Sequence, residues 1–216
     1  IFIFIVKGCQ MEYKYYAKSN PTETIKEHTD KLLENLEILK KEYGEKITQI
    51  IEMPEERFWQ LMKIICQYHD VGKVFSGFQN AIREKIGEEL IQTKFNNQEI
   101  KHEQISPMFV PYKQYEMTKK ERKLVYQAIY YHHERNNKIH IDRELLEEII
   151  KEDIEPNIKK IEKELQIQIP ELKTTYLGMV EGQARITEDD ELYKEYCLMK
   201  GLLHRLDHCS SAWITV

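Results

Sequence analysis

The sequence predicts an all-α protein, and three observations carry that reading. Apolar residues recur every three or four positions in run after run, as the inward stripe of an amphipathic helix requires. Several runs open on helix-start signatures: Asn20-Pro21-Thr22-Glu23, Pro54-Glu55-Glu56 and Thr118-Lys119-Lys120-Glu121. Charged residues make up 32% and hydrophobic ones 41% of the 216 positions, the balance of a soluble, helix-rich chain rather than a disordered one. That length suits one domain with a full core. The net charge of -5 argues against binding nucleic acid by bulk electrostatics, so any such affinity has to be local.

Taken in order, Ile1 to Val6 form an apolar run too short to span a bilayer and without a charged leader. Met11 reads as the natural start, which makes residues 1–10 a doubtful N-terminal extension and 11–216 a single domain. The first helix is expected from the Asn20 cap and Pro21, with Ile25, Leu32, Leu36, Leu39 and Tyr43 inward and Gly44 ending it. His28 shares that inward stripe. Spacing alone makes it a core histidine bonded to a carbonyl as readily as a ligand.

The second helix, with Phe58, Leu61, Met62, Ile65 and Tyr68 inward, is apolar enough to be central. It runs into His69-Asp70-Val71-Gly72-Lys73. Adjacent His and Asp point about 100° apart on a helix, so they grip one ion only near a helix end or kink. Gly72 is expected to supply the break through its backbone freedom. A buried carboxylate there is costly without a cation, although a helix-terminal Asp–His hydrogen bond is the plainer alternative. Lys73 follows one turn after His69, in reach of an anion held by a metal.

Ser76 to Ile86 reads as a helix closed by Gly87, and 88–99 as a short helix and a loop. His102 opens a helical stretch with Ile105, Met108 and Phe109; no second His follows at the zincin spacing, and a lone His in a polar loop is usually a surface residue. The Thr118 capping box starts a helix through Leu124, Val125, Ala128, Ile129 and Tyr131 into His132-His133. Residues 142–166 read as one or two amphipathic helices, with Pro156 opening the second, and 167–182 as a loop or short hairpin. Thr187-Glu188-Asp189-Asp190 is expected to cap the last helix, with Leu192, Tyr196, Met199, Leu203 and Leu206 inward and Asp207 beside them. Asp207 reads equally as a partner for Arg205. His204, His208 and His140 are read as structural or exposed. Cys9, Cys66, Cys197 and Cys209 are scattered without a C-x-x-C pair; two fall on apolar helical positions, which suggests buried free thiols in a reducing cytoplasm.

His28, His69-Asp70, His102, His132-His133 and Asp207 form an ordered H…HD…H…HH…D pattern. Histidine with carboxylate and no thiolate suits Mn, Fe, Ni, Co or Zn, with Mg at an oxygen-rich position. The pattern resembles the HD superfamily of metal-dependent phosphohydrolases, and most closely the HD nuclease domain of the CRISPR type I nuclease-helicase, from about Tyr13 to Ala212. The resemblance implies an HD-domain helical bundle with a dinuclear metal cleft. One divalent ion (Mn, Ni, Fe or Co, with Mg a further option) would take His28, His69, Asp70 and Asp207. A second would take His102, His132 and His133, with Asp70 bridging. Asp70 and Lys73 would be catalytic, Lys73 by neutralising charge on the phosphate. The implied substrate is single-stranded DNA, and the implied partners are a helicase, fused or separate, and a CRISPR type I surveillance complex, without a membrane. No Walker sequence is present, so the chain carries no ATPase motor.

Two other functions stay open on the residues: hydrolysis of small nucleotides or cyclic dinucleotides, and a catalytically silent HD interaction module. His132-His133-Glu134-Arg135 is similar to the HD-GYP cyclic-dinucleotide phosphodiesterases, but Asn136-Asn137-Lys138-Ile139 follows where they carry Gly-Tyr-Pro. Lys101, Lys113, Lys119, Lys120, Arg122, Lys123 and Arg135 form a basic group that suits DNA or an ordinary solvated face. Tyr68, Tyr130 and Tyr131, next to the histidines, suit base stacking or core packing.

Overall fold

A computed structural model describes residues 13–96, 98–133 and 141–216; the N-terminal extension, Cys9, Arg135, His140 and the Glu134–Ile139 stretch lie outside them. The fold is mainly helical, with one small hairpin. Strands β1 (Tyr16–Ser19) and β2 (Thr22–Thr24) pair antiparallel, joined across a cis Asn20–Pro21 bond. The expected helix start at Asn20 is therefore wrong. Two capping signatures overlap in this stretch, and the second one operates: Thr24 caps α1 (Ile25–Thr48) in a reciprocal box with Glu27. Asn-Pro serves the turn instead, where proline's missing N–H costs nothing.

Helix α1 continues past Gly44, and Tyr43 is exposed rather than inward. Gly44 faces α2 instead: a Cβ there would lie 3.3 Å from Glu55 Oε1 and 3.6 Å from Trp59 Nε1, so its role is close helix approach. Helix α2 (Glu55–Tyr68) follows the sequence reading, with Phe58, Leu61, Met62, Ile65 and Tyr68 all buried. Each such side chain contributes roughly 1.5–3 kcal/mol of burial.

A 3-10 turn (Val71–Val74) leads to α3 (Ser76–Ile86), which closes on Gly87 in the left-handed region, φ 73°. Residues 88–96, 98 and 99 hold no helix. The four-residue α4 (His102–Ile105) passes into a 3-10 turn containing Pro107. Helix α5 (Lys119–Tyr130) starts on the Thr118–Glu121 box, as expected. The 142–166 region is α6 (Arg143–Ile149) and α7 (Ile158–Leu165), joined by a π turn and a 3-10 turn at Pro156.

No hairpin forms among residues 167–182; they run extended into a 3-10 turn and α8 (Leu177–Val180). Buried Gln127 satisfies this loop's backbone, donating to Met179 and Ala184 carbonyls at 2.8 and 2.7 Å and accepting from Ile186 N–H at 2.8 Å, so strand pairing is not needed. Helix α9 (Tyr193–Ser211) begins after Leu192 and not at Thr187, because Asp190 is spent on a turn that accepts Leu192 N–H at 2.9 Å.

Helix α1 packs on α2 and α9, and α5 packs on α2, α8 and α9, around one apolar cluster. Tyr68, Tyr130 and Tyr131 belong to that core, buried with their hydroxyls on Gln168 O, Glu181 and Val180 O. They are unavailable for base stacking. Cys66 is buried, but Cys197 is exposed and Cys209 half-buried. Among the described residues no helix is long and apolar enough to cross a membrane.

Candidate metal centre

The centre of the molecule is where α2 ends. His69 is the C-cap of α2, and Asp70 leaves the helix at φ -105°, ψ 0°, so the turn that separates the two side chains falls at Asp70 itself and not at Gly72. Gly72 has a different job. A Cβ there would sit 2.2 Å from the His102 carbonyl oxygen and 2.8 Å from Ser106 Oγ, so only glycine lets the turn after α2 lie against α4. Ser106 Oγ accepts Gly72 N–H at 2.9 Å and donates to His102 O at 2.9 Å, locking His102 to the Asp70 turn.

Four elements converge there. His28 comes from the inward face of α1, His69 and Asp70 from the end of α2, His132 and His133 from the turn after α5, and Asp207 from α9. A fifth, short α4, brings His102. The end of α9 is tied to α1 by Asn35, whose amide donates to Ser210 Oγ at 3.3 Å and Ile214 O at 3.2 Å, and to the hairpin by Lys18 on Ser211 O at 3.0 Å.

The seven side chains sort into two groups. His28, His69 and Asp207 form one, and Asp70, His102, His132 and His133 the other; within each group one ligand atom per residue lies within 4.8 Å of the rest. Opposite ligands on a single ion stand about 4.2 Å apart, so either group could hold an ion with little contraction. Asp70 faces both. Its Oδ2 is 3.6 Å from His69 Nε2 and 3.7 Å from His28 Nε2, while its Oδ1 is 3.1 Å from His102 Nε2 and 4.0 Å from His132 Nε2. Lys73 Nζ donates to Asp70 Oδ2 at 2.7 Å.

The inward nitrogens point at one another without bonding. His28 Nε2 and Asp207 Oδ1 are 3.0 Å apart, yet His28 Nε2, His69 Nε2, His102 Nε2, His132 Nε2 and Asp70 Oδ1 are all buried with no hydrogen-bond partner. So many orphaned buried acceptors and donors would be expensive in a folded protein; divalent cations fit them. Two of the outer Nδ1 atoms, in contrast, are held. His69 Nδ1 is 2.8 Å from Cys66 O and His132 Nδ1 2.6 Å from Ile129 O, each a helix carbonyl three residues back. Carboxylates stand near the other two, Glu23 Oε2 at 3.5 Å from His28 Nδ1 and Glu103 Oε2 at 3.4 Å from His102 Nδ1, but His28 Nδ1 and Glu23 Oε2 are buried without a hydrogen-bond partner. At His69 and His132, proton donation outward at Nδ1 leaves the Nε2 lone pair facing in, the usual arrangement behind a metal-bound histidine.

Charge follows the same logic. Burial pushes the His69, His102 and His132 imidazoles below their ordinary pKa, and His133 with them. Burial also pushes the two carboxyls up, but Lys73, His69 and His102 hold Asp70 well below the usual range, and His28 and His69 do so for Asp207. Neutral imidazole with ionised carboxylate is the protonation state that coordination needs.

A family model described as "Cas3, HD domain" matches residues 28–193. The chain belongs to this family. The Cas3 HD match contains six of the seven converging residues, from His28 to His133, and stops short of Asp207; packing of α9 on α1 supplies the seventh. Among solved structures, the CRISPR-associated Cas3 HD domain protein from Methanocaldococcus jannaschii is similar at 17% identity, over 90% of this chain and 98% of that one, with a TM-score of 0.48. No curated protein matches. As a Cas3 HD domain, the chain is a CRISPR-associated, metal-dependent hydrolase domain of the HD type.

Residue reading missed Glu23, Glu103 and Ser106. Glu23 reads as part of a helix cap, and Glu103 follows His102 in a stretch that lacks the second His of a zincin. Their nearness to His28 and His102 was the available signal. His204 and His208 stack on each other, centroids 4.1 Å apart, and stand outside both groups. Of the expected basic group, Lys120 pairs with Glu191 at 2.8 Å and Lys123 with Asp190 at 2.6 Å, so that face of α5 is offset by acid.

Proposed function

We propose that this domain hydrolyses phosphodiester bonds of single-stranded DNA with two divalent transition-metal ions, in CRISPR type I interference. The observation that supports it most is Asp70, whose two oxygens are divided between the two imidazole groups. A carboxylate so placed would serve ions on both sides. His28, His69 and Asp207 would complete one ion's set; His102, His132 and His133 would complete the other's. Mn, Ni, Fe and Co suit this donor set, with Mg a further option. Ions bound there would supply an acidified water and positive charge on the scissile phosphate.

The chain's own groups do the rest. Glu23 and Glu103 stand behind His28 and His102, at 3.5 and 3.4 Å, and would bias their orientation by charge. Lys73 steadies Asp70 and sets an ammonium beside the place where phosphate charge builds. The recessed position of the inward nitrogens, with His69 fully buried and His132 3% exposed, favours a flexible strand over a rigid duplex. With a net charge of -5, the strand would be delivered by a helicase or surveillance complex and not captured from solution.

The test incubates circular single-stranded DNA, duplex DNA, dNTPs and a cyclic dinucleotide with the domain and Mn or Ni. Cleavage of the circle with the duplex intact is expected, and Lys73→Ala should slow it while retaining the metals. Hydrolysis of the nucleotides with DNA untouched would replace the nuclease by a small-molecule phosphohydrolase. Metal binding without any turnover would make the domain a silent interaction module.

A further inference from the structure

Gln79, on the first turn of α3, is a polar side chain with 0% of its surface exposed. Both of its donor hydrogens and its acceptor are spent on the main chain of other segments. Nε2 donates to Lys73 O at 2.7 Å and to Tyr16 O at 2.9 Å, and Oε1 accepts Tyr16 N–H at 2.8 Å. Gln79 thus meets Tyr16 as a third strand would, and hangs the turn after Asp70 from the hairpin. That frame is fixed at its other points. Lys18, on β1, donates to Ser211 O at the end of α9 at 3.0 Å, and Asp153 accepts the Ser76 N–H at the start of α3 at 2.9 Å. The neighbouring Phe78 takes the other end of the lysine: its ring lies 5.7 Å from Lys73 Nζ and packs edge-on against His102, centroids 5.5 Å apart.

From this we infer that Gln79 is a positioning residue for Lys73. Through the Lys73 carbonyl it fixes the turn that aims the ammonium at Asp70 and at the phosphate beside it. The inference rests on the nuclease reading above, which gives Lys73 its part in the reaction. A lysine carries its charge on a flexible four-carbon stem, so its ammonium is placed only as well as its main chain and its near neighbours allow. Here Lys73 N–H is bound to Asp70 O at 3.0 Å, Nζ to Asp70 Oδ2 at 2.7 Å and the carbonyl to Gln79. Supporting hydrogen bonds of this kind hold a reacting group in its working geometry. An apolar side chain of the same length could fill the space but would leave Lys73 O and both main-chain groups of Tyr16 without this partner.

The test is a double-mutant cycle on the whole chain, read by cleavage of circular single-stranded DNA with Mn. Gln79→Met should keep its metals and lower kcat about tenfold, the scale of a small misplacement of a reacting group. In a Lys73→Ala background the same change should lower kcat by no more than about twofold, because residues that act through one another are not additive. If the two losses multiply instead, or if Gln79→Met loses metal, Gln79 supports the fold or the ligands and the inference falls. A second readout needs no activity: reductive methylation of lysines in the metal-free protein, followed by peptide mass. Lys73, whose side chain is 13% exposed, should react about fivefold faster in Gln79→Met, the factor that one lost hydrogen bond is worth. Lys123, paired with Asp190 on α5, should not change. An unchanged Lys73 rate, or an equal rise at Lys123, overturns the inference. Should Gln79→Met melt below the assay temperature, Gln79→Asn, whose shorter amide cannot span both segments, is measured by the same criteria. If the wild type cleaves no DNA, the nuclease reading falls and the methylation rates still decide whether Gln79 holds Lys73.

Discussion

The two halves of the metal centre are made of different material. His28 and Asp207 stand on the long helices α1 and α9, and His69 caps α2; all three are buried. The other half draws His102 from a four-residue helix and His132 and His133 from a turn after α5, and His133 is exposed in a groove beside α9. A ligand on a long packed helix cannot move without moving the core, whereas a ligand on a turn can adjust. An ion in the open half would keep the position that water and substrate need, and an ion in the closed half would not. Asp70 groups with the open half and faces both.

The comparison can be broken in order of expected effect. Asp70→Ala should remove both ions at once and lower turnover by more than about a hundredfold, beyond what loss of an outer partner costs, with far-UV circular dichroism near wild type. Metal analysis retaining two equivalents would show that Asp70 does not bridge. Asp207→Ala should leave about one equivalent bound, the ion of the open half, while His133→Ala should weaken only the open half; titration with Co²⁺ followed by its visible absorption separates the two.

Smaller effects come from behind the ligands. Glu23→Gln should lower affinity at the closed half and Glu103→Gln at the open half, each by about 10–100-fold. Equal losses at both halves from either variant would mean that these carboxylates act through general charge.

The smallest effect is on the metal-free fold. The imidazoles of His69, His102 and His132 are depressed by burial, so the unfolded chain binds more protons than the folded one below about pH 6.5. Stability is then full above that value and falls as pH drops through it toward the folded pKa values. Asp70 and Asp207, also depressed, keep their contribution until much lower pH. The metal-free chain should melt at a lower temperature at pH 5 than at pH 7.5, and bound metal should suppress the difference by holding the imidazoles neutral. A flat profile would indicate that the cluster is hydrated rather than buried when empty.

Periodicity and capping alone determined the helical class, the central place of α2, the span of α3 and the start of α5, because each follows from local spacing and backbone chemistry. The identity of the converging histidines and aspartates was legible too, since their order along the chain is itself a pattern. What tertiary structure decided is how they meet. Only packing turns the Asp70 oxygens to opposite sides, sets Glu23 and Glu103 behind His28 and His102, and requires Gly72 for the approach of α4 rather than for a bend. The hairpin before α1 and the groove beside α9 were likewise invisible, the first because two capping signals overlapped and the second because its lining residues, from His132 to His208, are far apart in sequence. Local rules set what each segment can be; distances between segments are set by burial, and no spacing along the chain encodes them.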